Sequence, residues 1–121
     1  MNKEIALHNF WSSFGVPAYD ESTVPEDAAL PRITYNVITD GFNSSVSLKA
    51  SLWSRSKSWV QVTELKDLVE ETLANGGATV PYDGGIMWIK KGNSFAQRMS
   101  DPDDSIRRIL LTLDAEFISE V

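Results

Sequence analysis

Apolar residues recur at helical spacing in two segments of the chain. Between residues 3 and 14 they fall at the i, i+3, i+4 and i+7 positions that share one helical face. The four residues are Leu7, Phe10, Trp11 and Phe14. A second stripe runs from Trp59 to Leu73 and ends before Gly76, and Ser58 and Gln61 stand at its start with the spacing of a capping box. The pattern therefore predicts two amphipathic helices.

Five other segments have the β-branched composition or the two-residue alternation of a strand. They are Arg32–Asp40, Val46–Trp53, Thr79–Tyr82, Ile86–Lys90 and Ile109–Phe117. Asp40-Gly41 suits the turn of a hairpin between the first two, and Asp83-Gly84-Gly85 suits a tight turn between the next two. The last segment is a long half-buried run, and we expect it to lie in the centre of the sheet.

Two polar stretches interrupt these elements. Ala18–Pro31 contains prolines and acids without any period, and Gly92–Ser105 contains Asp101-Pro102-Asp103-Asp104. Both are expected to be exposed connections or arms. The remaining order, α, β, β, α, β, β, β, favours a mainly antiparallel sheet covered on one face by two helices. We therefore predict an α+β fold, with residues 1–121 forming a single domain.

The composition is that of an ordinary folded protein, and it argues against several functional classes. The chain has 121 residues, of which 42% are hydrophobic and 23% charged, and its formal net charge is −6. This charge argues against ordinary nucleic-acid binding, which relies on clustered lysine and arginine. Because there is no cysteine, we expect neither a disulfide nor a thiolate metal site. No signal peptide and no membrane-spanning apolar run is visible, so we expect a cytosolic protein without membrane contact.

Few residues could support catalysis. His8 is the only histidine and lacks the carboxylate or serine arrangement that general-base catalysis needs, so a structural role is favoured. The spacing of Asp101, Asp103 and Asp104 could suit calcium, but the loop lacks the required glycine and glutamate. A small metal-dependent enzyme would need these three carboxylates and Asp83 to converge on one pocket. We expect no catalytic residue, no metal and no cofactor.

Aromatic residues near arginines point instead to a protein–protein interface. Trp53 departs from the apolar face of its strand, and Trp59 follows a polar linker. Exposed tryptophan and arginine are typical interface anchors, and arginine binds carboxylates in a bidentate geometry. The alternative is that both tryptophans only cover the core. The residues expected to contact a neighbouring subunit are Trp53, Arg55, Trp59, Phe95, Arg98, Asp101, Asp103, Asp104, Arg107 and Arg108.

Several segments spread over most of the chain carry a family resemblance. They are the opening helix with Phe10-Trp11, Leu30-Pro31-Arg32-Ile33-Thr34-Tyr35, Leu48–Trp53 leading into Ser58-Trp59, Asp83–Gly92, and Phe95-Ala96-Gln97-Arg98 followed by Asp101–Asp104. Together they resemble the tail terminator (tail completion) proteins of long-tailed bacteriophages, in the form found in phages of Gram-positive bacteria. The resemblance is one of pattern and includes no catalytic motif.

The resemblance implies a small α+β subunit that forms a hexameric ring on the finished tail tube. Such a ring ends tube polymerisation and joins the tail to the head, while phage DNA passes through the lumen without sequence-specific binding. The implied partners are further copies of the chain, the major tail tube protein and a head-completion or connector protein. The implied location is the tail–neck junction of the virion, after assembly in the host cytoplasm. A head–tail connector, a neck component, a minor tail protein and a monomeric binding module remain as alternatives.

Overall fold

The computed structural model describes residues 2–36 and 45–119. In this part of the chain it contains helices α1 (Lys3–Ser12) and α2 (Val60–Thr72) and six strands. The strands are β1 (Ala18–Asp20), β2 (Arg32–Tyr35), β3 (Ser45–Arg55), β4 (Ala78–Tyr82), β5 (Gly85–Met99) and β6 (Ile106–Ser119). Both predicted helices and all five predicted strands occur. The end of the first predicted strand and its Asp40-Gly41 turn lie outside the described residues.

The strands form one sheet in the order β1-β2-β3-β6-β5-β4. Every neighbouring pair is antiparallel except β1 and β2, which run parallel. β4 and β5 form the second predicted hairpin, with Gly84 at φ +93° in its turn. The last strand lies between β3 and β5, so its predicted central position is confirmed. The α+β class is confirmed as well.

Alternate residues of the central strands face the helices and form the core. The buried members of β3, β5 and β6 are Leu48, Ala50, Leu52, Met87, Ile89, Ile109, Leu111, Leu113, Ala115 and Phe117. Trp11 of α1 and Val62 and Val69 of α2 belong to the same buried cluster. Because one set of alternating residues meets both helices, the helices cover a single face of the sheet, as predicted.

Helix α1 closes the open side of a curled sheet. It contacts both β1 and β4, which stand at opposite ends of the strand order. Trp11 is only 1% exposed and stacks on Tyr35 with the ring centroids 6.5 Å apart. Phe10 meets Trp11 edge-on at 5.0 Å, and Lys3 Nζ lies 4.7 Å from the centre of the Phe117 ring. The helix therefore joins the two edges of the sheet through one aromatic core.

The ends of α1 follow from local hydrogen bonds. Asn2 is the N-cap, and its side chain accepts a hydrogen bond from the Ile5 N–H at 2.8 Å. The helix ends at Ser12, two residues before the predicted Phe14, because Gly15 follows with φ +85° and reverses the chain. In the ranges described, neither α1 nor α2 is long and apolar enough to cross a membrane.

The capping box predicted at the start of α2 is wrong. Trp59 is the N-cap, and it forms no side-chain cap bond. Ser58 lies one residue too early, and its Oγ accepts a hydrogen bond from the Val60 N–H at 3.1 Å. Gln61 consequently occupies the second helical position and not the third, where the reciprocal bond would form. An aromatic residue thus stands at the exposed start of the helix.

Gly92–Ser105 is exposed along most of its length, as predicted, but the prediction that it is a loop is wrong for its first eight residues. β5 continues through this segment and pairs with β6 again from Ala96 onward, so only residues 100–105 form a loop. A bulge between Lys91 and Ala96 shifts the register. The segment is polar because β4 accompanies β5 only as far as Ile89, which leaves the outer part of the strand in contact with water.

The stretch Ala18–Pro31 is also more ordered than predicted. Its first three residues form β1, with Ala18 opposite Ile33 of β2. Asp20 then turns the chain, because its Oδ1 accepts hydrogen bonds from the N–H and the hydroxyl of Ser22 at 3.0 and 2.9 Å. A strand of three residues is too short to show an alternating pattern, so the sequence did not reveal it.

Gly77→Ala is expected to destabilise the protein more than Gly76→Ala. Gly77 and Gly76 have φ values of +95° and +93°, which cost an L-residue about 1–2 kcal/mol. A Cβ on Gly77 would also meet the Ile89 carbonyl oxygen, whereas a Cβ on Gly76 would meet nothing within 4 Å. This clash should add about 1–3 kcal/mol. Denaturant unfolding measures both losses, and equal values would contradict the close approach of the α2–β4 connection to β5.

Candidate subunit interface

Trp59 and two arginines form a cluster on the helix side of the sheet. Arg98 of β5 lies opposite Ile109 of β6, and this register directs its side chain toward the start of α2. The guanidinium carbons of Arg98 and Arg107 lie 4.6 and 5.5 Å from the centre of the Trp59 ring. Each exposed cation–π contact of this kind is worth about 0.5–1 kcal/mol. Three candidate interface residues are therefore brought together within one subunit.

The guanidinium group of Arg107 forms its hydrogen bonds within its own subunit. Its Nη1 donates to the backbone oxygens of Asp104 at 2.7 Å and Ile106 at 3.1 Å, and its Nη2 donates to that of Lys57 at 2.8 Å. The side chain is only 17% exposed. These bonds tie the loop before β6 to the connection between β3 and α2. Arg107 therefore stabilises this end of the subunit and has few donors left for a neighbour.

The aspartates of the loop before β6 bond mainly to that loop. Asp101 Oδ1 accepts a hydrogen bond from the Asp103 N–H at 2.9 Å. Asp103 Oδ1 accepts bonds from the N–H and the hydroxyl of Ser105 at 2.9 and 2.7 Å, and its Oδ2 lies 3.8 Å from Arg55 Nη1. These carboxylates thus meet partners of their own chain. Their contact with arginines of a neighbouring subunit stays a prediction.

Trp53 and Arg108 lie on the open face of the sheet, opposite the helices. The guanidinium carbon of Arg108 is 4.8 Å from the centre of the Trp53 ring, and that of Arg32 is 5.5 Å away. Trp53 Nε1 donates to Thr34 Oγ1, and Arg108 Nε donates to Ser51 Oγ, both at 3.0 Å. The structure therefore divides the predicted interface residues between the two faces of the sheet.

Phe95 stands apart from both tryptophans, in the bulge of β5. It is half-buried against the rim of the core. Lys91 Nζ lies 5.8 Å from the centre of its ring and also 3.4 Å from Glu70 Oε2 of α2. One side of the Phe95 side chain therefore packs against the core, and the other side is accessible to solvent.

Two further residues complete these clusters and were missed in the sequence. Arg32 lies directly opposite Trp53 in the register of β2 and β3. Lys57 Nζ lies 3.9 Å from Asp104 Oδ2. Knowing which residues of β2 and β3 pair would have identified Arg32 as the neighbour of Trp53. That pairing depends on the connection between the two strands, which the composition does not determine. Apart from its positive charge, nothing in the sequence around Lys57 indicates that it pairs with Asp104.

The carboxylates considered for metal-dependent chemistry do not converge. Asp83 lies in the β4–β5 turn, whereas Asp101 and Asp103 lie in the loop before β6. Within residues 2–36 and 45–119, no three His, Asp or Glu side chains are grouped so that they could hold a metal ion. His8 Nδ1 and the Tyr35 hydroxyl are hydrogen-bonded at 2.9 Å. The arrangement that a metal-dependent enzyme would need is not formed in this part of the chain.

The fold is similar to that of a chain in the virion of a native gene transfer agent particle. The TM-score is 0.59 at 16% sequence identity, and the alignment covers 96% of this chain and 85% of that chain. No family model matches the sequence, and no curated protein does so either. At this level of identity the similarity concerns the fold alone.

The pKa of the Asp103 carboxyl is expected to lie below its ordinary value of 3.8, first because Ser105 donates hydrogen bonds to it and then because Arg55 is near. Because the folded-state pKa is lowered, the carboxylate stabilises the fold above its unfolded-state pKa, and this contribution disappears as pH falls through the folded-state pKa. Ser105→Ala should raise the pKa of Asp103 more than Arg55→Ala does. Carboxyl NMR titration measures both shifts, and an unchanged pKa in Ser105→Ala would contradict the geometry of the loop.

Proposed function

We propose that this chain is a structural virion subunit of the tail terminator kind. The observation that carries the proposal is the fold similarity to a virion chain of a gene transfer agent particle, which extends over 96% of this chain and 85% of that one. The sequence resemblance to tail terminators narrows the role. The chain acts as one domain, forms a hexameric ring on the tail tube, ends its polymerisation and joins the tail to the head.

Unpaired arginines support the formation of a ring. A ring requires one surface of the subunit to fit a different surface of the next. Arg98 and Arg108 each lie on a tryptophan ring, and neither forms an ion pair within the described residues. Stacking orients the planar guanidinium for bidentate binding of a carboxylate. In a chain of net charge −6, acidic side chains of the next copy supply matching groups.

The acidic balance of the chain suits a ring through which DNA passes. A subunit with a net charge of −6 repels phosphate weakly, so the genome is not held during passage. The scattered carboxylates of the described residues give no support for metal-dependent catalysis. We therefore assign the protein a structural role without a reaction of its own.

The proposed partners are other copies of the chain, the major tail tube protein and a head-completion or connector protein. A head–tail connector, neck component or minor tail protein is the second candidate function, because the same fold similarity supports it. The candidates differ in the surface that the ring binds. Binding assays with isolated tail tubes and with isolated heads therefore distinguish the two candidate functions.

Purified protein mixed with tail tubes of its own virion is expected to form a ring at one end of each tube. Light scattering gives the mass of the free and bound protein, and electron microscopy of the tube ends locates the ring. The opposite end of the same tube is the internal control. Rings that bind only the head portal would show instead that the protein is a head–tail connector. Monomers that never bind tubes or portals would contradict both candidates.

A further inference from the structure

An apolar groove lies between α2 and the end of α1. Two adjoining cavities of about 180 and 400 Å³ open here, and Phe14 and Leu68 line both of them. Val16 and Leu65 extend the apolar wall. We call these four residues the helix groove. Leu68 is 49% exposed, so apolar surface in the middle of the groove is in contact with water.

The rim of the helix groove is acidic. Glu64 and Glu71 line the two cavities and are exposed, and neither has an ion-pair partner in the part of the chain that is described. Glu70 differs, because it lies 3.3 Å from Lys66 and 3.4 Å from Lys91. A segment that fits this groove should combine apolar side chains with positive charge.

The end of β5 has this chemistry, and we call residues Phe95–Met99 the β5 outer segment. β4 pairs with β5 only as far as Ile89, so no described strand covers the outer edge of this segment. Phe95 is half-buried. Arg98 is exposed and has no carboxylate partner among the described residues. Backbone groups at an open strand edge are free to bond to another chain.

We propose that the helix groove of one subunit binds the β5 outer segment of a second copy. The proposal rests on the ring proposed above and names its contact. Arg98 faces the acidic rim formed by Glu64 and Glu71, and Phe95 covers Leu68. The groove borders β3, whereas β5 lies beyond β6 in the sheet, so the two surfaces occupy different sides of one subunit. A contact between two different surfaces repeats from copy to copy and can close into a ring.

Disulfide trapping tests this contact, because the chain has no cysteine of its own. Leu68→Cys and Ala96→Cys, both at exposed positions, are placed on separate chains, mixed and mildly oxidised, with and without tail tubes. We expect cross-linked pairs in the mixture and at least about tenfold fewer in either variant alone, because a disulfide forms only where Cα atoms approach to about 4.4–6.8 Å. A chain carrying both substitutions should give a ladder of covalent oligomers.

Two outcomes of the trapping experiment would overturn the contact. Abundant pairs in Leu68→Cys alone would mean that groove meets groove. No intermolecular cross-link at all, in samples whose unaltered form caps tubes, would remove the contact and leave the proposed function intact. Failure of the unaltered protein to form rings would count against the function itself.

An exchange of charges provides a second test. Arg98→Glu is expected to lose assembly under conditions in which the unaltered protein forms rings, and so is the double variant Glu64→Arg, Glu71→Arg. In a mixture of the two, every groove meets an outer segment of opposite charge, so rings with alternating chains should return. Lys49→Glu makes the same change of charge at an exposed position of β3 outside both surfaces and should assemble normally. A mixture that stays monomeric would overturn the contact.

Discussion

The burial of α1 inside the curl of the sheet is the interaction on which the rest of the structure depends. Trp11 stacks on Tyr35 and meets Phe10, so one helix face supplies an aromatic plug for the space that the sheet encloses. A tryptophan buries about 150–250 Å², and at about 25 cal/mol per Å² this corresponds to several kcal/mol. Because α1 contacts both β1 and β4, the same burial sets the curvature of the sheet. Within this sheet, the strand register places Trp53 beside Arg32 and Arg108, and it places Arg98 on the helix side.

Most of the fold could be predicted because the core residues repeat with the period of their element. Strand β6 and helix α2 each have one solvent-exposed and one buried face, and this alternation of polar and apolar residues is visible in the sequence. The predictions failed where the contrast is missing. β1 is too short to alternate, and Ala96, Gln97 and Arg98 are all exposed, so a paired strand there has the composition of a loop. Hydrophobic periodicity detects burial and cannot detect pairing without burial.

The sequence offered a set of candidate interface residues, but it did not show how the fold distributes them over the subunit. Trp59 and Arg98 lie together within one subunit, and their contact with a neighbouring subunit stays a prediction. The alternation of β3 already placed Trp53 away from the apolar face. It did not show that Trp59 at the start of α2 would lie on the opposite side of the sheet. For Asp103, the sequence is compatible both with an ion pair inside the chain and with a contact to an arginine of a neighbouring subunit. In the structure, Arg55 Nη1 of the same chain lies 3.8 Å from Asp103 Oδ2, a pairing that the sequence spacing alone does not show.

The outer part of β5 combines an open edge with features that restrict what can pair with it. Long, flat, open edges aggregate, and proteins limit them with bulges and charges. Here the bulge is held by close packing, because a Cβ on Gly92 would lie 3.0 Å from the Thr112 carbonyl oxygen. Only a short edge remains beyond it, and it carries Arg98. Two such edges meeting face to face would oppose like charges, whereas an acidic surface matches this one. The edge therefore disfavours symmetric pairing and is compatible with the proposed head-to-tail contact.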